Sequence, residues 1–482
     1  MPAGSSPIRT KWVFKVKQAA DGTVARYKAR LTACGYAQKF GRDYKEIFAP
    51  VASAVTIRVV FLTAALRRLH LHQYDCRTAF LYGRLPADQR VYVNIPEGLD
   101  APPGSVAALY RGLYGLKQSP RLFNEHLTAA MRHLGFVAAK SDPCLHIFNQ
   151  GGVYAICALV VDDLLLATDS SDFAETFENT LAKTYKLSVL GHPTWMIGLK
   201  VERHQDKISL SQERYILDMA ERFGQTGCKP LASPSNHALD LNNTTSDPLD
   251  LTTHDYLALI GSLMWCNITR PDISAAVSSL AQFTSAPRMA HWNAAIRTLR
   301  YLYHTRTLGV VYGPATCDDD TTVSAYCDAS WGNEKKGRSR YGFITCFGSN
   351  IISWRSKVTT MVCLSTAESE YFAATECVKE LVWLRGLLSE LGYDISAPSV
   401  LLEDNQACIT MASNARISGR NRHFAMKMHW LREHVKNKTV VFKHVSSELQ
   451  HADPLTKIMP VAPFLLHRDF LVQDTMIKPQ HD

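Results

Sequence analysis

Tyr154-Ala-Ile-Cys-Ala-Leu-Val-Val161, then Asp162-Asp163, then Leu164-Leu-Leu166, sets two apolar runs on either side of a pair of carboxylates. Each run has the length of a buried strand, and only the acids separate them. The stretch reads as a β-hairpin with both acids at its tip. Two adjacent negative charges at the end of an apolar hairpin repel one another and resist burial. A divalent metal is the usual counter-charge, although Asp is also a common turn residue. The surrounding residues decide between the two.

A chain of 482 residues should hold at least two domains with ample core. Its 46% hydrophobic and 20% charged residues describe a globular protein rather than a disordered one. The 12 cysteines stand singly, with no C-x-x-C spacing, which favours free thiols in a reducing compartment. No N-terminal apolar leader and no membrane-length run is present. The expectation is a soluble, intracellular protein. The net charge of +9 is unevenly spread: ten Lys/Arg face three Asp/Glu in the first 50 residues, and eight face one in 416–443. Two separate basic patches suggest a polyanion contacted at two places.

Lys11-Trp-Val-Phe-Lys-Val-Lys17, Asp21-Gly22 and Ala25-Arg-Tyr-Lys-Ala-Arg-Leu31 predict a second hairpin. One face of this ribbon should pack while Lys15, Lys17, Lys28 and Arg30 project. Residues 56–70 follow a helical period and lead to Asp75 at the end of a strand, where it could complete a three-carboxylate site with Asp162 and Asp163. Tyr110 to Pro120 reads as a glycine-bearing turn into a helix near 121–134, and Tyr114-Gly115 would let backbone approach a flat ligand.

These motifs, in this order, resemble the reverse transcriptase of copia-type LTR retrotransposons. The residues that carry the resemblance are Lys11–Lys15, Arg26–Leu31, Asp75 with Ala79-Phe80-Leu81, Leu113–Gln118 and Val161-Asp162-Asp163, and it continues through Leu210–Leu217, Gly261–Leu263 and Thr269–Asp272. It implies an α+β chain: a right-hand polymerase of fingers, palm and thumb, followed by an RNase H-like α/β domain with a mixed sheet. Asp75, Asp162 and Asp163 would hold two Mg²⁺ (or Mn²⁺) ions, the usual device for nucleotidyl transfer. Lys28 and Arg30 would hold the incoming deoxynucleoside triphosphate. Phe80 would crowd its sugar 2′ position, and Tyr114 and Gly115 would lie along nucleotide and template. Outside the motif, Phe80 reads equally as a core aromatic.

A second carboxylate set begins at Val323-Ser-Ala-Tyr-Cys-Asp328. Ser365 and Glu368 form a capping box opening a helix that ends at Gly392. Its apolar stripe, Ala374, Cys377, Leu381, Leu384 and Leu388, extends back onto Glu370, while Glu368 and Glu376 fall off it. Asp404 ends a later strand and Asp453 follows His451. By the resemblance, Asp328, Glu370, Asp404 and Asp453 are the four acids of a ribonuclease H site, again with two Mg²⁺. Arg416 to Lys443 would track an RNA–DNA hybrid. His429, His434, His444 and His451 raise a zinc site, but no paired cysteines support it.

The expected domains are fingers and palm (1–205), a mostly helical thumb or connection (206–313, with a loop near 229–256), an RNase H-like domain (320–458) and a C-terminal tail (459–482). Asp318–Asp320 reads as a boundary loop. Expected partners are an RNA template, a DNA primer, the RNA–DNA hybrid and deoxynucleoside triphosphates, with no membrane, in the cytoplasm (particle-associated) or nucleus. The family's protease and integrase portions are not in this sequence, which suggests a fragment. The chain departs from the family at Val160 (usually Tyr), Cys34 (commonly Lys), His192-Pro193 and Ala425. These keep open an alternative, a decayed or repurposed nucleic-acid-binding remnant.

Overall fold

The computed structural model describes residues 6–18, 23–236, 239–242, 245–314, 322–413 and 423–476. The chain divides into two compact units, Met1–Val60 with Leu69–His192, and Phe61–Arg68 with Pro193–Asp482.

A six-stranded antiparallel sheet organises the first unit, in the order Leu187–Gly191, His70–Cys76, Asp163–Thr168, Val153–Val160, Leu145–Gln150, Val137–Ala138. The two central strands are buried along nearly their whole length, which is why their sequence is apolar without alternation. Helices Ser119–His133 and Ser171–Ala182 bury Phe123, Leu127, Phe177 and Leu181. Val160 pairs with Asp163, so the turn is Val161-Asp162. Asp162 therefore sits at the tip, while Asp163, expected beside it there, is the first residue of the returning strand. Two-residue hairpin turns require a positive φ, and Val161 carries it at +59°.

The ribbon of Thr10–Gln18 and Val24–Ala33 pairs Lys15 with Lys28 and Val13 with Arg30, which puts the basic residues on one face. The expectation that its other face packs is corrected here: Phe14 and Tyr27 are 75% and 77% exposed. Two strands alone have no layer to cover a second face. The ribbon joins a core with Leu113 and Leu116 at its base, through Leu31, Ala33 and Cys34. The Asp21-Gly22 turn lies outside the described residues, as does Asp318–Asp320.

In the second unit, helices Glu213–Arg222, Tyr256–Cys266, Ser274–Ala281 and Met289–His304 enclose Ile216, Leu259, Leu263, Leu299 and Leu302. A five-stranded antiparallel sheet that periodicity did not reveal joins Trp195–Met196, Leu199–His204, Lys207–Ser211, Leu308–Tyr312 and Gln473–Asp474. Its last strand corrects the expected tail. Val461–Leu471 is a helix that buries Phe464 in the helical core, and Gln473–Asp474 pairs with Leu308-Gly309. Leu471 and Val472 are buried as well, so apolar contact ties this end down.

The third layer of sequence folds as a mixed sheet in the order Asn350–Val358, Arg338–Phe347, Val323–Glu334, Ser399–Glu403, Val440–His444. The first three strands are antiparallel and the last two run parallel to Val323–Glu334. Helix Thr366–Glu390 packs on this sheet and buries the stripe the sequence predicts. Ser365 caps it by accepting from the Glu368 backbone N–H at 3.2 Å. Glu368 reaches back to the Leu364 N–H, at 2.7 Å, rather than to the cap residue itself. That bond holds a carboxylate in the interior that the stripe leaves outside. Of the basic stretch Arg416–Lys443, residues 416–422 lie outside the described residues; the rest is helix Ala425–Lys436 and strand Val440–His444. The α+β class and the mixed sheet are those the resemblance implies: helices and several separate sheets, the last of them mixed and packed by one long helix.

Candidate active sites

The first cluster lies at one end of the six-stranded sheet. Asp75 and Asp163 are direct partners across adjacent antiparallel strands, which holds their side chains about 5 Å apart at Cβ. Asp162 is locked beside them, since its carbonyl accepts from the Cys76 N–H at 2.8 Å. Burial pushes the Asp163 carboxyl up to about 6, the charges of Asp162 and Asp75 add to this, and a hydrogen bond from Gln73 opposes it. Burial, and then the three acids, raise the neighbouring Cys76 thiol to about 12. Three carboxylates gathered here, with Asp163 raised by burial and by the charges of the other two, form a site that a divalent cation would relieve.

Next to the acids stand Phe80 and Tyr114, packed edge to face at 5.0 Å. Phe80 is only half-buried, so it is not a core aromatic. The Arg30 guanidinium lies 5.2 Å from the centre of the Tyr114 ring. Burial raises the Tyr114 hydroxyl, Arg30 opposes, and Asp162 and Asp75 add to the rise, which places this ring within electrostatic reach of both. Lys28 shares the ribbon face of Arg30, two residues farther from the base. Gly115 has φ +88°, and a Cβ there would stand 2.1 Å from the Ala33 carbonyl oxygen. The Ala33 N–H donates to the Tyr114 carbonyl at 2.8 Å. The glycine is thus what lets the ribbon base dock on this turn. Gln38 and Gln118 join at 2.8 Å and brace the same junction.

The second cluster belongs to the mixed sheet. Asp328 lies on its central strand, Glu370 in the long helix, Asp404 just past Ser399–Glu403, and Asp453 in the short turn Asp453–Leu455. Oxygens of Asp328, Glu370 and Asp404 lie within 4.8 Å of one another. Asp453 stands apart from that trio, paired with Lys457 at 2.7 Å. Burial, followed by Asp328, Glu403 and Asp404, raises Glu370 well above the carboxylate range. Burial, followed by Asp328, lifts Asp453 to about 7 against the pull of Lys457. One oxygen of Glu370 and one of Asp453 are buried without a hydrogen-bond partner. Orphaned buried carboxylate oxygens are costly, and the one on Glu370, gathered with Asp328 and Asp404, fits a divalent cation.

Two side chains here had no role in the sequence reading. Thr456, which carries the resemblance with Lys457, donates its hydroxyl to Asp328. Glu403 is fully buried beside Asp404, bonded to the Asn405 N–H at 3.0 Å and to the Cys327 thiol at 3.2 Å. Strand alternation could have exposed Glu403, since it must share the inward side of Leu401. None of the helices among the described residues is long and apolar enough to cross a membrane.

A family model described as "Reverse transcriptase (RNA-dependent DNA polymerase)" matches residues 1–237. The chain is 34% identical over 484 residues to the "Retrovirus-related Pol polyprotein from transposon TNT 1-94" of Nicotiana tabacum, covering 98% of this chain and 36% of that one. The chain therefore spans about a third of that polyprotein's length. It is 33% identical to the "Putative transposon Ty5-1 protein YCL074W" of Saccharomyces cerevisiae, covering 64% of this chain and all of the other. A solved foamy viral protease-reverse transcriptase in complex with double-stranded DNA aligns at 11% identity and a TM-score of 0.49, over 90% of this chain and 67% of that one, too distant a likeness to bear weight. The chain belongs to the reverse transcriptase family of copia-type LTR-retrotransposon Pol polyproteins.

Proposed function

We propose that the chain is an RNA-directed DNA polymerase that also degrades the RNA strand of RNA–DNA hybrids. The observation that carries the first activity is the pairing of Asp75 with Asp163 beside Asp162. Residues 1–205 serve as fingers and palm, 206–313 as thumb or connection, and 320–458 as the ribonuclease H domain. Asp75, Asp162 and Asp163 would hold two Mg²⁺ ions, and Asp328, Glu370, Asp404 and Asp453 would hold another two. Such ions, when bound, would supply charge neutralisation for phosphoryl transfer. Lys28 and Arg30 bind the triphosphate of the incoming deoxynucleotide, with Arg30 oriented over Tyr114. Phe80, braced by Tyr114, closes the space a ribose 2′-hydroxyl needs. Tyr114 and Gly115 lie along nucleotide and template, with the Cβ side of Gly115 given over to Ala33.

Primer extension on an RNA template with Mg²⁺ tests the reading. The chain should incorporate deoxynucleotides, and Asp162→Asn/Asp163→Asn should abolish incorporation while leaving hybrid cleavage intact. Asp328→Asn should do the reverse. Incorporation that survives the double substitution refutes the polymerase assignment. Val160, where the family has Tyr, favours a second reading: a remnant that binds hybrid without turnover in either assay.

A further inference from the structure

The turn that carries Tyr114-Gly115 is held at its far end by polar side chains rather than apolar ones. Gln38, Asp43 and Gln118 are all buried. Gln38 uses both ends of its amide: Oε1 accepts from the Lys117 backbone N–H at 2.7 Å, and Nε2 donates to Gln118 Oε1 at 2.8 Å. Gln118 in turn donates from Nε2 to the Asp43 backbone carbonyl at 2.9 Å. The Asp43 carboxylate accepts from the Lys39 N–H at 2.8 Å, which closes residues 39–43 on themselves. Across the turn, Ser119 Oγ donates to the Leu113 carbonyl at 2.8 Å and accepts from the Leu113 N–H at 3.0 Å. The two backbones also meet, since a Cβ at Gly35 would overlap the Gly115 carbonyl oxygen.

We propose that Gln38 and Gln118 are positioning residues for sugar discrimination: their amide pair sets the turn at the place where Tyr114 braces Phe80 against the 2′ position. The proposal rests on the polymerase reading, in which Phe80 excludes ribose. The chain of contacts is short. Gln38 fixes Lys117 and Gln118, Ser119 ties the turn back to Leu113, and the next ring, Tyr114, stands 5.0 Å from that of Phe80. Both glutamines are buried, so neither faces the nucleotide. An apolar contact tolerates sliding. Paired amides have one low-energy register, because a buried amide group left without its partner is costly. Exclusion by a clash depends steeply on where the excluding ring stands. A deoxynucleotide has no 2′-hydroxyl to collide, so a small displacement of Tyr114 leaves it unaffected and admits the ribonucleotide. Loss of the pair therefore shows in the ratio of the two sugars, not in the deoxynucleotide rate.

Primer extension by the full chain on an RNA template tests this, with kcat and KM measured for a deoxynucleotide and for the matching ribonucleotide. Gln38→Met and Gln118→Met should each raise the relative use of the ribonucleotide about three- to tenfold, with kcat for the deoxynucleotide close to the parent's. Phe80→Val should open the sugar site by itself. In that background Gln38→Met should add nothing, because both changes act through one contact. Gln38→Asn keeps the amide but is one methylene too short for both partners, and it gives the same readout if a Met variant loses the parent's melting transition. A parent that discriminates while the glutamine variants keep its ratio overturns the proposal alone. So does a Gln38→Met effect that multiplies undiminished onto Phe80→Val. An equal fall in the use of both sugars marks a merely structural role and also overturns it. A parent that incorporates no deoxynucleotide, or a Phe80→Val chain as selective as the parent, sinks the polymerase reading of these residues, and the positioning role with it.

Discussion

Asp163 shows how one side chain reports on its whole site. Burial, with the charges of Asp162 and Asp75, holds its carboxyl at about 6, above the unfolded value near ~4. A raised carboxyl favours the folded state while protonated. That contribution is complete below the unfolded value and is lost as pH rises through about 6. Asp453, lifted to about 7, acts in the same direction in the second cluster. Cation binding requires the deprotonated acids and displaces these protons. The rise in melting temperature on adding Mg²⁺ should therefore be larger at about pH 7.5 than at about pH 5.5. Scanning calorimetry with Mg²⁺ and with chelator checks it, and an equal or larger shift at the lower pH contradicts the cation assignment. Val161 belongs to the same account. A β-branched residue at φ +59° is costly, and the turn it makes is what sets Asp162 beside the paired acids.

Among the elements, helix Thr366–Glu390 ties stability to chemistry most directly, because it carries Glu370 in its early turns. Ser365→Ala removes the bond to the Glu368 N–H and should cost about 1 kcal/mol. Hybrid cleavage should fall more than primer extension does, since the frayed end is the one that aims Glu370. A denaturant midpoint unchanged from the parent's, or equal loss of both activities, counts against that coupling. This helix was legible because its cap, stripe and terminal Gly392 all lie within one element. The central hairpin was legible for the same reason, apart from one residue at its turn. The sheet that collects Leu199–Ser211, Leu308–Tyr312 and Gln473–Asp474 was not, because its partners are far apart in sequence and no local period announces pairing. The exposed ribbon face was misread because alternation tells which residues share a side, not whether another layer covers it. The carboxylates themselves were found by motif. That Asp453 leans on Lys457 while the other three converge is a fact of tertiary packing alone.

At the scale of the molecule, residues 461–476 decide whether the second unit is complete. Phe464 packs against Tyr301 at 5.9 Å and sits in the helical core. Leu471 and Val472 join Ile344, Ile351 and Leu455 in a core beside the mixed sheet. The strand Gln473–Asp474 pairs with Leu308-Gly309, and the Thr475 N–H donates to the Thr307 carbonyl at 2.9 Å. One short segment thus serves a helical core, a mixed sheet and an antiparallel sheet together. Burying a large apolar side chain stabilises by roughly 1.5–3 kcal/mol, so three of them approach the ~5–15 kcal/mol that holds a domain folded. A chain ending at Met459 should lose cooperative unfolding of the second unit and expose residues 193–459 to limited proteolysis. The sheet of the first unit, which draws no strand from this region, should stay protected. If the shortened chain keeps the parent's melting transition and protease resistance, the segment is dispensable, and the cores of the second unit must close without it.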